Sequence, residues 1–203
     1  MPHPQRRQII LASASAIRAQ MLTNAGLVFA VQPGRIDEEA VMQSVLAEGG
    51  KPRDLADTLA GMKALKVSGR NPGALVLGAD QVLECEGRVF SKPDTPEDAV
   101  DQLRFLSGKT HALHSAAVVC ENGQAIWRQI GTAHMAMHDN SEAYLRAYVA
   151  RNWGSLRHAV GCYKIEEEGI RLFARIDGDF FHILGLPLIE LLTWLRIRGD
   201  IGA

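Results

Sequence analysis

The sequence predicts an α/β protein built on a mixed sheet, and three observations predict it. Short apolar or alternating runs suited to strands recur along the whole chain. Capped helical patterns stand between them rather than in a separate block. The 203 residues, 47% of them hydrophobic, suffice for a full core in one domain, residues 1–203, with no linker, repeat or low-complexity tract to divide it.

The elements follow in order. Ile9, Ile10 and Leu11 read as a first strand. Residues 16–24 read as a helix with Ile17, Met21 and Leu22 inward, stopped at Gly26. Residues 27–31 make a second strand, leading to an acidic turn at Asp37, Glu38 and Glu39. Residues 52–68 form a long helix with Leu55, Leu59, Met62 and Leu65 on one face. The continuous apolar run 74–79 is a buried central strand, with Asp80 directly after it and a hairpin through Glu86-Gly87 beyond. Thr95 with Pro96, Glu97 and Asp98 is a strong helix start, and that helix ends at Ser107-Gly108-Lys109. Residues 112–120 and 125–138 are strands turning at Asn122-Gly123. Ser141 caps a helix through Val149, residues 161–165 and 171–176 are short strands, and residues 187–198 close the chain as an amphipathic helix.

Bulk properties exclude several function classes. Lys+Arg 22 against Asp+Glu 23 leave a formal net charge of −1, so no general field attracts a nucleic acid polymer or an anionic membrane. Cys85, Cys120 and Cys162 are odd in number and lack metal-ligand spacing, which argues against a disulfide framework or structural zinc and suits a reducing cytosol. The start Met1-Pro2-His3-Pro4-Gln5-Arg6-Arg7 precedes an apolar run too short for a signal peptide, and no stretch reaches membrane-spanning length. The expectation is a soluble cytoplasmic protein.

Chemistry is concentrated early. Ser13, Ser15 and Arg18 sit where the first strand gives way to a helix, whose start presents unpaired backbone N–H groups and a positive dipole end. Two hydroxyls and a guanidinium there suit an anion pocket, although a serine at this place often only caps the helix. Asp80, emerging from a buried strand, needs a cation, hydrogen bonds or a metal. Lys63 on the preceding helix and Lys92 beyond the hairpin could return positive charge to it, although lysines on helices are usually solvated. Together these residues supply donors for a polyphosphate, while Asp80 and Glu38 supply hard oxygen ligands for Mg²⁺. The histidines lack ligand spacing, Cys162 lacks a His–Asp partnership, and Trp127, Trp153 and Trp194 suit core or interface positions.

These motifs, in this order, resemble the Maf family of nucleoside triphosphate pyrophosphatases over nearly the whole chain. Leu11-Ala12-Ser13-Ala14-Ser15 with Arg18 is similar to the family's SxSPRR signature, Ile36-Asp37-Glu38 to its acidic loop, Lys63 to its helix lysine and Gly78-Ala79-Asp80 to the segment with its catalytic aspartate. Lys92-Pro93, Leu106-Ser107-Gly108-Lys109 with His111, and Gly178 through Gly185-Leu186-Pro187-Leu188 complete the likeness. The resemblance implies a largely antiparallel central sheet flanked by helices, in two lobes with a cleft between them. It implies hydrolysis of a nucleoside triphosphate between the α- and β-phosphates, with Asp80 as base or metal ligand, Glu38 as a further ligand of Mg²⁺ or Mn²⁺, and Ser13, Ser15, Arg18, Lys63 and Lys92 binding the substrate. A homodimer is also plausible by resemblance.

Three positions depart from the commoner pattern. Ile17 replaces the first arginine, Gln81 follows the aspartate where threonine is common, and Glu166 stands where glutamine is common. In the family these positions are linked to base choice. Gln81 and Glu166 are similar to the branch acting on 7-methyl-GTP, whereas Ile17 fits neither that branch, which has an aromatic there, nor the dTTP and UTP branch. A carboxylate can accept from guanine's ring N–H and exocyclic amine, and it favours a base made cationic by methylation. The expectation is a guanine-type substrate, 7-methyl-GTP or another modified nucleotide. Two alternatives stay open: a dTTP or UTP pyrophosphatase, and a non-catalytic nucleotide-sensing module linked to cell division.

Overall fold

The structure, a computed structural model, describes residues 7–202. The N-terminal segment from which no signal peptide is expected lies, up to residue 6, outside them. Among the described residues seven strands form one mixed sheet in the order β2-β1-β3-β5-β6-β7, with β4 paired to β3, and seven α-helices accompany them. Here β1 is Ile9–Leu11, β2 Phe29–Val31, β3 Leu75–Cys85, β4 Arg88–Phe90, β5 Thr110–Glu121, β6 Gln124–Met137 and β7 Phe173–Asp177. β1 pairs in parallel with β2 and β3, while β3 with β4 and β6 with β7 are antiparallel. β5 and β6 are joined by the two-residue turn Asn122-Gly123, which only an antiparallel pair permits. The expected α/β fold with a mixed, largely antiparallel sheet is therefore present. No helix among the described residues is long and apolar enough to cross a membrane.

The chain divides into two compact units. The first comprises the chain up to Asp80, Ser115–Gly131 and the segment from Gly185 onward. Its helices are α1 (Ala16–Asn24), α2 (Glu38–Ala47), α3 (Pro52–Ser68) and α7 (Leu188–Arg198). The α1 bounds match the sequence reading, with Ser15 as N-cap. Met21 and Leu22 are buried as expected, but the third inward residue is Arg18, and Ile17 is only half-buried. The acidic turn at Asp37 proves to be the cap of α2, where the Asp37 carboxylate accepts from Ala40 N at 3.0 Å. This helix was not expected because none of its residues is buried, so no inward stripe marks it.

α3 also has the expected bounds, but its inward face is rotated. Met62 and Leu65 are 40% and 42% exposed, while Ala56, Ala60, Ala64 and Val67 join Leu55 and Leu59 inside. Small residues win these positions because Gly78 of β3 lies directly against the backbone of Ala60 and Ala64, where larger side chains would hold the strand away. β3 itself runs six residues past its expected end, carrying Asp80 within the strand rather than after it. Trp127 and Trp194 stack on one another, their ring centroids 5.6 Å apart.

The second unit comprises Gln81–His114 and Thr132–Leu184. The β3–β4 hairpin turns at Glu86-Gly87, both in the left-handed region (φ 52° and 78°), as a two-residue hairpin requires. Helix α4 (Pro96–Leu106) opens on the expected Thr95 cap, closed reciprocally by Asp98. Helix α5 (Glu142–Leu156) starts after Ser141 but extends beyond Val149, where Trp153 and Leu156 continue its contact with the core. The expected strand at 161–165 is absent. Gly161 and Cys162 have φ of 78° and 61°, and the Leu83 side chain and Tyr163 ring occupy the space a Cβ at 161 would need, so the chain makes a 3₁₀ turn instead. A second 3₁₀ turn, Glu168–Leu172, delays β7 to Phe173, and the unexpected α6 (Phe180–Ile183) follows, capped by Asp179.

All three cysteines are buried, and burial pushes the Cys120 and Cys162 thiols up to about 11 and 12, so neither supplies a thiolate nucleophile at neutral pH. The core of this unit also encloses His111. Its Nε2 lies 2.7 Å from Tyr163 Oη, the imidazole packs between the Tyr163 and Phe173 rings, and its buried Nδ1 has no hydrogen-bond partner.

Burial lowers the His111 pKa from 6.5 to about 4. The unfolded chain therefore binds more protons between these values, and stability falls as the pH drops through this window. The expected loss is about 3 kcal/mol. Urea midpoints for wild type and His111→Phe between pH 7 and 4 check this: the variant should show a flatter acid limb, and parallel curves would refute it.

Candidate active site

The first unit gathers most of the predicted site residues. Beyond β1 the chain turns through Ser13, which is buried, and Ser15, which starts α1. Ser13 Oγ accepts from Ser15 N at 3.3 Å, and Ser15 Oγ accepts from Arg18 N at 3.5 Å. The capping role of Ser15 is thus real. Each serine oxygen acts as an acceptor in these bonds, and a hydroxyl also carries a hydrogen that it can donate.

Arg18 is buried, and its guanidinium braces three separate segments. Nε donates to the Gly185 carbonyl at 2.7 Å, and Nη1 donates to Ser13 Oγ at 3.1 Å and to the Ala79 carbonyl at 3.0 Å. Burial lowers its pKa, while the fields of Asp80 and Glu38 raise it. Gly185 allows this contact: its φ is 97°, and a Cβ there would press on Nη2 and Nε at 3.1 and 3.2 Å.

Lys63 sits at the centre. Its Nζ lies 2.6 Å from Glu38 Oε1 and 2.8 Å from Asp80 Oδ2, so one ammonium bridges two carboxylates. Backbone packing delivers all three groups. Gly78 lets β3 approach α3 at Ala60 and Ala64, three residues before Lys63 and one after it, and Gly34 lies against the Lys63 backbone itself. The 32–34 segment is tied to β1 by Gln32 N to the Leu11 carbonyl and Gly34 N to the Ala12 carbonyl. Lys66 Nζ holds the Arg35 carbonyl, and α2 then opens with Glu38. Lys63 and Asp80 are nearly enclosed, whereas Glu38 is more than half exposed.

Both carboxylates lie within reach of one ammonium, close enough for a single divalent cation to take its place. Two carboxylate oxygens, completed by water and phosphate oxygens, form the donor set that Mg²⁺ accepts. No cluster of three or more His, Cys, Asp or Glu exists among the described residues, so a site built wholly from protein ligands is not formed.

The remaining predicted residues are placed elsewhere. Ile17 lies half-buried on α1 beside Arg18. Gln81, Lys92 and Glu166 belong to the second unit. Lys92 is exposed after β4, and Glu166 is exposed in the turn between the two 3₁₀ segments. Gln81 Nε2 donates to the carbonyls of His182 and Ile183, at 3.1 and 2.9 Å. Sequence reasoning missed the backbone partners, the carbonyls of Ala79, Gly185, His182 and Ile183, because a carbonyl acceptor has no residue-type signature. Gly34 and Gly78 could have been found as glycines beside apolar runs.

Residues 8–197 match the family described as Maf-like protein. The chain is 57% identical over 201 residues to a protein of Roseobacter denitrificans named nucleoside triphosphate pyrophosphatase, covering 99% of each. A protein of Ruegeria pomeroyi with the same name is 57% identical over 193 residues, 95% of this chain and 97% of its own. A 7-methyl-GTP pyrophosphatase of Brucella abortus is 43% identical over 189 residues, 93% and 95% of the two chains.

Replacing Arg18 by Met keeps the length of the side chain and removes every donor. It leaves the Ala79 and Gly185 carbonyls short of a partner, at a cost of roughly 1–3 kcal/mol in folding stability. Urea denaturation would register this as a lower midpoint, and an unchanged midpoint would show that the brace carries no stability.

Proposed function

The chain belongs to the Maf-like protein family, and from that premise we propose that it is a nucleoside triphosphate pyrophosphatase, splitting its substrate with water into nucleoside monophosphate and pyrophosphate. The observation that carries this reading is the Glu38–Lys63–Asp80 cluster, two carboxylates bridged by one shared ammonium. The reaction needs a water placed in line with the α-phosphorus, an acceptor for its proton, and positive charge against the leaving pyrophosphate. Asp80, oriented by Lys63, accepts the proton. Lys92 neutralises the leaving group, with the charges of Lys63 and Arg18 added from the places where each is held. Ser13 and Ser15 donate their hydroxyl hydrogens to phosphate oxygens at the start of α1. Glu38 and Asp80 would hold magnesium or manganese, which would supply further charge neutralisation.

The same reading extends to the base. Gln81 and Glu166 support a guanine-type substrate, 7-methyl-GTP foremost, since a carboxylate favours a cationic base that offers N–H donors. The two relatives at 57% identity carry the more general name, so the general activity rests on more than the methylated preference does. On the family likeness, the reading extends to a homodimer in the cytosol that acts on free nucleotides.

Asp80→Asn keeps the shape of the side chain and removes the base. Pyrophosphate release should fall by about 10²–10⁴-fold with the circular-dichroism spectrum unchanged, whereas turnover at the wild-type rate would remove Asp80 from the mechanism. Comparing 7-methyl-GTP, GTP, UTP and dTTP side by side tests the base. The highest kcat/KM is expected for 7-methyl-GTP, and a preference for dTTP or UTP would overturn the assignment of Gln81 and Glu166.

A further inference from the structure

All three members of the Glu38–Lys63–Asp80 cluster belong to the first unit, and their spacing decides how a divalent cation can reach the two acids. The acids are held near one another by contacts that do not involve the Lys63 ammonium. Gly34 packs so closely on α3 that a Cβ there would lie 2.5 Å from the Lys63 carbonyl oxygen. One turn further along α3, Lys66 Nζ donates to the Arg35 carbonyl. The chain then enters α2 at Asp37, whose carboxylate caps the helix that Glu38 begins. On the other side, Gly78 seats β3 on Ala60 and Ala64, two residues before Asp80. Both carboxylates would thus stay near one point if the ammonium were removed.

A cation already stands at that point. Lys63 Nζ lies 2.6 Å from Glu38 Oε1 and 2.8 Å from Asp80 Oδ2, and the lysine side chain is nearly enclosed. Arg18 adds a second positive charge, on which the fields of both acids act. The neighbouring acids Asp37 and Glu39 are turned to Ala40 N and Gln43 Nε2 along α2. At the cluster itself two carboxylates are matched by two cations, so a bare divalent ion meets little net attraction. It would have to displace the ammonium, leaving that charge nearly enclosed without a carboxylate partner. A metal-bound phosphate chain meets a different balance. It carries its own negative charge, and it offers oxygen acceptors to the ammonium while its ion takes up carboxylate oxygens.

We propose that Lys63 is a resident counter-ion that keeps the free protein from binding a divalent cation, so that ion and triphosphate bind together rather than in turn. The triphosphate enters this inference from the nucleotide-hydrolysing reading, on which it rests. Besides orienting Asp80, Lys63 fills the place of the metal until phosphate arrives. The apparent affinity for the ion alone falls with the fraction of molecules in which the two acids are open to it. Phosphate raises that fraction, and by linkage the ion raises the affinity for phosphate by the same factor.

Mn²⁺ is the probe, and its binding to the full chain without nucleotide is read from the paramagnetic resonance of the free ion. Lys63→Met, similar in length but uncharged, should bind Mn²⁺ about tenfold or more tighter than wild type. Adding Glu38→Gln to that variant should abolish the gain, which places the ion between the two acids. In calorimetry, the preformed Mn²⁺ complex of a non-hydrolysable triphosphate should bind wild type about tenfold or more tighter than the metal-free analogue. A gain below about threefold in either comparison overturns the proposal. Should Lys63→Met fold only with metal, its melting temperature in rising Mn²⁺ replaces the titration. It should climb where that of wild type does not, and an equal response of the two overturns the proposal. Wild type that binds Mn²⁺ without phosphate at a Kd of about 10⁻⁵ M or tighter, as sensor sites bind their ion, also overturns it if Glu38→Gln removes that binding. If no triphosphate yields pyrophosphate, the hydrolase reading fails instead, and the Mn²⁺ affinities of wild type and Lys63→Met still decide the case for Lys63.

Discussion

The site depends on one constraint, the placing of the Lys63 ammonium between Glu38 and Asp80. Its distances of 2.6 and 2.8 Å are those of strong charge-assisted contacts, and two of the three groups are nearly enclosed. A buried ion pair is weak evidence for stability, because desolvation offsets much of the attraction. Its value here lies in what it does to the neighbours. It lets a carboxylate reside inside a central strand, and it keeps two acidic groups close that would otherwise repel each other.

That placement is achieved by small residues rather than by polar ones. Ala60, Ala64 and Gly78 bring β3 against α3, and Gly34 brings the preceding loop against the Lys63 backbone. The helix that looks from its Leu and Met content as though it should turn Met62 and Leu65 inward instead turns Lys63 towards the sheet. Close packing and the geometry of this charged cluster are thus the same feature. A methyl group added to β3 at Gly78 would move the strand carrying Asp80 away from the lysine that orients it.

Arg18 shows a division of labour that residue type alone conceals. A guanidinium beside two serines at a helix start reads as a phosphate ligand, and its charge remains available to that role. In the structure its Nε and Nη1 join the Ser13 turn, the strand residue Ala79 and the Gly185 backbone. The arginine therefore helps hold in place the hydroxyls and the acid that would handle the substrate. Gln81 behaves in a similar way, its amide directed at the backbone of α6.

What was legible in the sequence is what local chemistry dictates. Caps and prolines placed the bounds of α1 and α3 and the starts of α4 and α5, since Ser15, Pro52, Thr95 and Ser141 act through their own neighbouring backbone. The ordered motifs pointed to Glu38, Lys63 and Asp80, which the structure brings together. Tertiary structure decided the rest. α2 buries nothing and so leaves no pattern, the 161–165 segment abandons its strand because two residues adopt positive φ against Leu83 and Tyr163, and Asp80 sits inside β3 with Lys63 meeting it from another element. Each of these outcomes depends on contacts between residues far apart in the chain, and a periodicity read along one segment does not contain them.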